Sequence, residues 1–250
     1  MILLFDVGNT HIVMGLVENN KITATYRFIT DGNVTEDEYY NKFQFILRDK
    51  EVEGIAISSV VPQVNQSLFL MCEKYYNITP LVVGPGLRSG IMIKLENPKQ
   101  LGSDLLCDAV GAVAKYNGAS IIVDLGTATK FIVVNSQKEF LGGAISPGLL
   151  GSLNNLVNSA AKLSNVGLNT PETVIGNETT HCIQSGVIFG FASLVDGMVA
   201  KMKEELHEEK VNVILTGGLS RPLLSSLRTP YFYQPNLLLE GLLIIYQKNK

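Results

Sequence analysis

The length and composition of the chain are those of a compact, folded protein. It has 250 residues, of which 46% are hydrophobic and 17% are charged, which excludes a disordered protein and leaves enough material for a substantial core. The formal net charge of -3, with no basic run longer than two residues, argues against a nucleic-acid-binding surface.

Cysteine usage and apolar runs indicate a soluble cytoplasmic protein that does not bind a membrane. Cys72, Cys107 and Cys182 are odd in number and far apart, without metal-ligand spacing, which predicts reduced thiols. The apolar run at the N-terminus is broken by Asp6 too early for a signal peptide. The most apolar segment, residues 237–246, is shorter than the roughly 18 residues that suggest a membrane span.

The chain opens with a strand, a turn and a second strand. The run Ile-Leu-Leu-Phe at residues 2–5 predicts a buried strand that ends in Asp6, and Gly8 two residues later allows a tight turn. The apolar residues 12–17 predict the returning strand of a β-hairpin. The alternating residues 21–28 predict a third, half-buried strand.

The next segments predict helices and strands in alternation. Thr35 and Glu38 form a capping-box pattern that opens a helix. Residues 54–57 predict a buried strand, a helix then runs to about residue 76, and residues 81–83 form another strand. Three strands followed by helix, strand, helix and strand are typical of a mixed sheet covered by helices.

An acidic residue begins the helix that follows the irregular stretch 84–100. Ser103 looks like an N-cap and Asp104 lies in the first turn of a helix that runs to about residue 115. The helix macrodipole stabilises the ionised form of Asp104, so this side chain is expected to be a carboxylate and a weak base. The alternative is that Asp104 only complements the dipole.

The opening pattern occurs a second time at residues 121–134. The run Ile-Ile-Val is followed by Asp124 and Gly126, and aligning Asp124 with Asp6 also aligns Gly126 with Gly8. We therefore expect a duplicated nucleotide-binding unit, with domains at residues 1–118 and 119–250. A third strand should follow the turn residues 136–138, and residues 142–148 should then lead into a helix. A flexible segment at 164–180 and a long helix at 181–206 should come next. A strand at 211–215, a helix, a short strand near residue 231 and a helix from residue 237 should complete the chain.

The chemistry of the two turns suits phosphate binding. A turn glycine lets phosphate oxygens approach main-chain N–H groups, and Asn9, Thr10 and Thr127 add side-chain donors. A carboxylate can hold the cation that neutralises a phosphate, or its water shell. A single copy would be interpreted as an ordinary turn, because Asp, Gly and Asn are common turn formers. Two copies in matching settings favour phosphate binding.

Taken together, the motifs resemble those of one family. Asp-Val-Gly-Asn-Thr at 6–10, Ser-Ser-Val-Val-Pro at 58–62, Gly-Ser-Asp at 102–104, Asp-Leu-Gly-Thr-Ala-Thr at 124–129, Gly-Gly-Ala-Ile-Ser-Pro-Gly at 142–148 and Thr-Gly-Gly at 216–218 occur in the order of type III pantothenate kinases. That family belongs to the acetate and sugar kinase, Hsp70 and actin superfamily. The resemblance implies an α/β chain with the duplicated RNase H-like, actin-like ATPase fold, in which mixed sheets are flanked by helices.

The resemblance also implies an activity and its site residues. The activity is ATP-dependent phosphorylation of pantothenate to 4'-phosphopantothenate, the first step of coenzyme A biosynthesis, by a homodimer that uses Mg2+ and a monovalent cation, K+ or NH4+. Asp104 would be the base that accepts the substrate hydroxyl's proton, and Asp124 would hold the monovalent cation. The ATP-binding residues would be Asp6, Val7, Gly8, Asn9, Thr10, His11, Ile12, Val13 and Thr127. The substrate-binding residues would be Leu95, Gly102, Ser103, Asp104, Leu105 and Thr179, the last one across the dimer interface.

The chain departs from the family pattern mainly on the pantothenate side. Leu105 stands where the family has arginine, Leu95 where it has tyrosine, and residues 160–164 differ from its Thr-Ala-x-Leu-Pro. Arg88 and Lys94 are the nearest basic residues in sequence that could compensate. Two alternatives to pantothenate phosphorylation are a weak or inactive nucleotide-binding homologue with a regulatory role, and a kinase of the same fold with another acceptor.

A further departure is Lys130, which follows Thr129 in the second copy. One hypothesis is that its ammonium lies beside Asp124 and replaces the monovalent cation. The other is that Lys130 is an ordinary solvent-facing lysine on a strand.

Overall fold

A computed structural model of the chain describes residues 1–48, 50–159 and 166–250. Contacts divide the chain into two compact units. Unit 1 comprises Met1–Ile91, Glu96–Ala114 and Leu237–Lys250, and unit 2 comprises Met92–Leu95 and Lys115–Asn236. This division differs from the expected boundary at residue 118 because the last helix packs within unit 1.

The helices and strands of the described residues run in this order: β1 (Ile2–Val7), β2 (His11–Glu18), β3 (Lys21–Ile29), α1 (Glu36–Leu47), β4 (Gly54–Ser59), α2 (Pro62–Tyr76), β5 (Leu81–Val82), β6 (Met92–Ile93), α3 (Ser103–Lys115), β7 (Ala119–Leu125), β8 (Ala128–Val134), β9 (Glu139–Pro147), α4 (Leu149–Ser159), α5 (Thr179–Leu206), β10 (Val211–Thr216), β11 (Phe232–Tyr233) and α6 (Leu237–Asn249).

Unit 1 is a five-stranded mixed sheet with helices on both faces. The strand order is β3-β2-β1-β4-β5; β1, β2 and β3 are antiparallel neighbours, and β4 and β5 run parallel to β1. Because side chains alternate along a strand, Leu3 and Phe5 of β1 pack against α1 and α2, whereas Leu4 packs against α3 and α6. The predicted capping box of Thr35 and Glu38 is present at the start of α1.

Unit 2 repeats this arrangement. Its sheet has the order β11-β10-β7-β8-β9-β6, so that β7 to β11 take the places that β1 to β5 take in unit 1. Ile121 and Val123 of β7 and Phe131 of β8 pack against α4 and α5 on one face. The expectation of a duplicated α/β fold with mixed sheets flanked by helices is confirmed.

Several local predictions fail where distant strand pairing decides the structure. The stretch 84–100 contains β6, which pairs in parallel with β9, and β9 continues through residues 142–147 as a partner of β8. The helix expected after Gly218 is only a 3-10 turn at Arg221–Leu223. Residues 160–164, where the sequence departs from the family pattern, lie outside the described residues.

Helix α5 begins two residues before the predicted start. With 28 residues, it is long and apolar enough by length and composition to cross a membrane, and 33% of its most apolar window is buried. Ile183, Ile188 and Val195 on its inner face belong to the core of unit 2.

Candidate functional site

The first hairpin tip is a three-residue turn, residues 8–10, between β1 and β2. The N–H of Gly8 donates to the carbonyl of His11 at 3.0 Å, which closes the turn. The end of β3 fastens it, because the Thr30 hydroxyl donates to the Gly8 carbonyl at 2.7 Å and the Thr30 N–H donates to the Thr10 carbonyl at 3.0 Å. Asp6 precedes this turn and lies opposite Val13 of β2.

Two of the predicted ATP-binding residues in this segment have side chains in the core. Val7 and Ile12 are fully buried against α1 and α2, so their side chains cannot contact a ligand. His11 is partly buried, and burial together with the charge of Arg27 lowers the pKa of its imidazole. His11 is therefore neutral at physiological pH and can offer one ring N–H as a donor.

Asp104 lies in the first turn of α3 with its carboxylate oriented by the backbone. Its Oδ1 accepts a hydrogen bond from the N–H of Leu105 at 2.9 Å. A Cβ added at Gly102 would come within 2.6 Å of the same oxygen. A side chain at position 102 would therefore displace this carboxylate, so Gly102 leaves room for the orientation that Asp104 adopts.

Ser103 joins the start of α3 to the end of β4. Its hydroxyl donates to the Ser59 carbonyl at 3.0 Å and accepts from the Ser58 hydroxyl at 3.1 Å. The prediction that Ser103 caps the helix from outside is wrong, since Ser103 is the first helical residue and its hydroxyl bonds to β4. A contact between Ser103 and a substrate would therefore use its backbone.

The charges of three carboxylates of unit 1 influence one buried thiol. Burial raises the pKa of Cys107 well above its ordinary value; a hydrogen bond with Ser58 opposes this rise, and the charges of Asp108, Asp6 and Asp104 add to it. Asp6 and Asp104, which are 98 positions apart in sequence, therefore act on the same group. Sequence analysis missed Asp108, which is fully buried; its position four residues after Asp104, on the same helix face, was the available signal.

The second hairpin tip is one residue shorter than the first. Gly126 and Thr127 connect β7 and β8, and the Gly126 N–H donates to the Ala128 carbonyl at 3.0 Å. Gly148, just after β9, lies so close that an added Cβ would overlap the Thr127 carbonyl. Gly217, with a φ of 91°, lies against the Asp124 carboxylate in the same way.

Asp124 at this tip is paired with a lysine. Asp124 and Lys130 lie directly opposite each other on β7 and β8, and the Lys130 Nζ is 2.7 Å from the Asp124 Oδ2. The side chains are only 20% and 10% exposed for Lys130 and Asp124, so Lys130 is not a solvent-facing lysine. The carboxylate that the resemblance assigns to a monovalent cation already holds an ammonium, and the residues present do not fit a second cation there.

The arrangement of the described residues limits how a divalent metal could be bound. Among them, no three His, Cys, Asp or Glu side chains are grouped closely enough to form a metal cage. Mg2+ is commonly bound by one or two carboxylates together with substrate phosphates, so the donor set of unit 1 fits Mg2+ delivered with a nucleotide.

The predicted substrate residues lie in different parts of the chain. Gly102, Ser103 and Leu105 are at the start of α3 in unit 1. Leu95 belongs to unit 2 and lies next to Gly142, and Thr179 is the exposed first residue of α5. Lys94, one of the two residues suggested to compensate for the missing arginine, instead pairs with Glu139 at 3.1 Å.

Solved structures share this fold at low sequence identity. A conserved Campylobacter jejuni protein assigned to the Baf family of transcriptional activators has a TM-score of 0.62 at 18% identity, with 99% of this chain and 98% of that chain covered. A ROK family glucokinase from Streptomyces griseus has a TM-score of 0.53 at 14% identity, with 98% of each chain covered. These similarities establish the actin-like ATPase fold that sugar kinases share.

Sequence comparison identifies the family. The model of type III pantothenate kinases matches residues 2–201. The type III pantothenate kinase of Exiguobacterium sibiricum is 44% identical, with all of both chains covered. That of Bacillus cytotoxicus is 39% identical, with 100% of this chain and 97% of the relative covered. The chain therefore belongs to the type III pantothenate kinase family.

Proposed function

We propose that the two hairpin tips bind the phosphates of ATP and that Asp104 accepts the proton of the pantothenate hydroxyl. The chain is a kinase that phosphorylates pantothenate with ATP in coenzyme A biosynthesis, as its family membership establishes. The residue roles are our assignment. The observation that carries them is a set of contacts that brings the two aspartates close to each other. Asp6 of β1 lies opposite Ser58 of β4, and the Ser58 hydroxyl donates to the hydroxyl of Ser103, the residue before Asp104.

Asp104 is oriented for the role of base. As the hydroxyl oxygen attacks the γ-phosphorus, its proton passes to the Asp104 carboxylate, and the bond between the γ-phosphorus and the bridging oxygen breaks to release ADP. The hydrogen bond from the Leu105 N–H and the space beside Gly102 support a fixed orientation of the carboxylate. A weak base is sufficient because positioning and charge neutralisation dominate phosphoryl transfer.

Asp6 is our candidate for the carboxylate that holds Mg2+, directly or through its water shell. Bound Mg2+ would neutralise the negative charge of the phosphates. Backbone N–H groups of turn residues 9 and 10 and the side chains of Asn9, Thr10 and His11 would position the triphosphate, and Thr127 would contact it from the second tip.

The pantothenate side would be formed by the start of α3. Leu105 has no charged donor, so the interaction that arginine makes in the family is lost here, and a charged hydrogen bond is worth about 1.5–3 kcal/mol. Leu95 likewise offers only an apolar contact. Backbone groups of Gly102 and Ser103, and Thr179 of a second subunit, would then provide polar contacts to the substrate.

We assign the homodimer interface to the outer face of α5. Exposed small residues recur every three or four positions along this face, and Cβ atoms added at Gly186, Gly190 and Gly197 would meet nothing within 4 Å. Small residues would let two helices approach closely, and a two-fold symmetric dimer would pair this face with the same face of its partner. The face comprises Cys182, Gly186, Gly190, Ser193, Gly197 and Ala200. Analytical ultracentrifugation should show a dimer for the wild type and a monomer for Gly190→Leu.

A cytoplasmic location is part of this proposal. Coenzyme A biosynthesis uses ATP, and Cys72, Cys107 and Cys182 are free thiols, as expected in a reducing compartment.

The test of this proposal is ADP formation with and without pantothenate by the wild type and by Asp104→Asn. We expect pantothenate-dependent turnover that falls by about 10²–10⁴-fold in the variant, with ATP affinity unchanged within about twofold. The control is Asp37→Asn, which removes an exposed carboxylate from the first turn of α1 and should retain full turnover.

The alternatives predict different results in the same assay. ATP binding without turnover on pantothenate or its analogues would favour the regulatory homologue. Turnover that is stimulated by another alcohol but not by pantothenate would favour a different acceptor. Full turnover by Asp104→Asn would remove Asp104 from the role of base.

A further inference from the structure

Lys130 is held in a defined position at the second tip. Strands β7 and β8 are antiparallel, with Leu125 opposite Thr129, and this register places Lys130 directly opposite Asp124. Side chains of directly opposite residues lie on the same face of a sheet. The ammonium therefore reaches the carboxylate across the strand pair, at 2.7 Å from Oδ2.

This pair is more shielded from water than another lysine–carboxylate pair of the same sheet. The side chain of Lys130 is 20% exposed, whereas Lys94, which pairs with Glu139 in the same sheet, is 49% exposed. The other oxygen of Asp124 lies against Gly217, where a Cβ could not be accommodated. A charged hydrogen bond shielded from water is less weakened by solvent and salt than an exposed one.

The position of the pair explains why a positive charge is required there. The Asp124 carboxylate lies beneath the turn of Gly126 and Thr127, and a Cβ added at Gly126 would be 3.7 Å from its Oδ1. An unneutralised carboxylate at this place would repel the phosphates of ATP that we assign to this turn. Either a bound monovalent cation or the ammonium of Lys130 removes that repulsion.

We propose that Lys130 is a built-in substitute for the monovalent cation, so that nucleotide binding by this enzyme is independent of K+ and NH4+. The inference rests on the proposed function, because it needs ATP at the second tip. It assigns Lys130 the role of a positioning residue that neutralises Asp124 and holds its carboxylate in place.

The test measures the affinity for a non-hydrolysable ATP analogue by calorimetry in K+, Na+ and N-methylglucamine buffers of equal ionic strength. For the wild type, we expect affinities that agree within about twofold in all three buffers. For Lys130→Met, which keeps the length of the side chain but removes its charge, we expect about a 10-fold or greater loss in Na+ buffer. Potassium or ammonium ions should restore most of that loss.

Two control variants separate charge from structure. Lys94→Met removes a lysine that is also paired with a carboxylate on this sheet, and it should leave the affinity unchanged in every buffer. The double variant Lys130→Met with Asp124→Asn has neither charge, and it should bind the analogue better than Lys130→Met does in Na+ buffer. Melting temperatures report whether each variant is folded.

The proposal is overturned if the wild type binds the analogue at least 10-fold more weakly without potassium, a result that requires no variant. It is also overturned if Lys130→Met binds as the wild type does, or if its loss is reversed neither by potassium nor by Asp124→Asn. Absence of analogue binding by the wild type in every buffer would instead contradict the proposed function.

Discussion

The two hairpin tips have the same construction but different electrostatics. In each, a buried strand ends in an aspartate, and a glycine two residues later donates its N–H across the turn. Asp6 lies opposite Val13, whereas Asp124 lies opposite Lys130. The duplicated fold thus presents one carboxylate across from an apolar residue and one across from a cation, which is the basis of the two different roles that we propose for the tips.

The tips are also held in place by different means. The first is fastened by hydrogen bonds from Thr30 at the end of β3. The second is fastened by close backbone contact, since Gly148 and Gly217 lie where no side chain could be accommodated. Equivalent substitutions at the two tips should therefore have unequal effects.

The largest expected difference is between the effects on turnover of substituting the two aspartates. Asp6→Asn should lower turnover by roughly 10–100-fold, because it removes the carboxylate that we assign to Mg2+. Asp124→Asn should lower turnover by less than about threefold, because Lys130 still provides the positive charge and the amide can still accept its hydrogen bond. Steady-state kinetics over a range of Mg2+ concentrations would measure both, and equal losses would contradict the difference in roles.

The next difference concerns the turn glycines. Gly148→Ala should reduce the free energy of unfolding by about 1–3 kcal/mol, because the added methyl group overlaps the Thr127 carbonyl. Gly8→Ala should cost about 1 kcal/mol or less, since its Cβ would be 3.3 Å from the His11 carbonyl oxygen, a contact that a small shift relieves. Urea denaturation would measure both values, and a larger cost at Gly8 would reverse the comparison.

A smaller effect is expected when the fastening of the first tip is removed. Thr30→Val keeps the shape of the side chain but removes the donor to the Gly8 carbonyl, and it should cost about 1 kcal/mol and weaken ATP binding a few-fold. Thr23→Val, within β3, is the matched control, because its hydroxyl donates a longer hydrogen bond of 3.3 Å to the Leu16 carbonyl. If both variants weaken ATP binding equally, the hydrogen bond from Thr30 to the first tip does not support ATP binding.

The smallest effect concerns pH. Burial and the charge of Arg27 lower the pKa of His11 below 6.5, so the unfolded chain binds a proton at this residue before the folded chain does. Stability should therefore fall as pH decreases below about 6.5 towards the folded pKa. His11→Gln should lose less stability than the wild type between pH 7 and pH 5 in thermal melts. A steeper loss of stability in His11→Gln than in the wild type would contradict the lowered pKa of His11.

Local sequence patterns were sufficient to predict most of the helices and strands. The hairpin of β1 and β2, the capping box at Thr35 and the end of α2 at Tyr76 were predicted from alternation, capping chemistry and the turn preferences of glycine and proline. The duplication was visible because a strand, an aspartate and a turn glycine recur at the same spacing.

The features that sequence analysis did not predict depend on contacts between residues that are far apart in the chain. Strand β6 has two residues and exists because it pairs with β9, and α6 returns from the end of the chain to pack on the sheet of unit 1. Whether Lys130 faced solvent or Asp124 depended on the register of β7 and β8, and a change of one residue in the turn would turn Lys130 to the other face. The burial of Asp108 similarly depends on the packing of α3.

The most direct test of the account is pantothenate-dependent ADP formation by the wild type in buffer that contains sodium as the only monovalent metal ion. We predict turnover within about twofold of that in potassium, because Lys130 already neutralises Asp124. Turnover that depends on pantothenate but requires added potassium would contradict the assigned role of Lys130. The absence of pantothenate-dependent turnover in both buffers would contradict the roles assigned to the two tips and to Asp104.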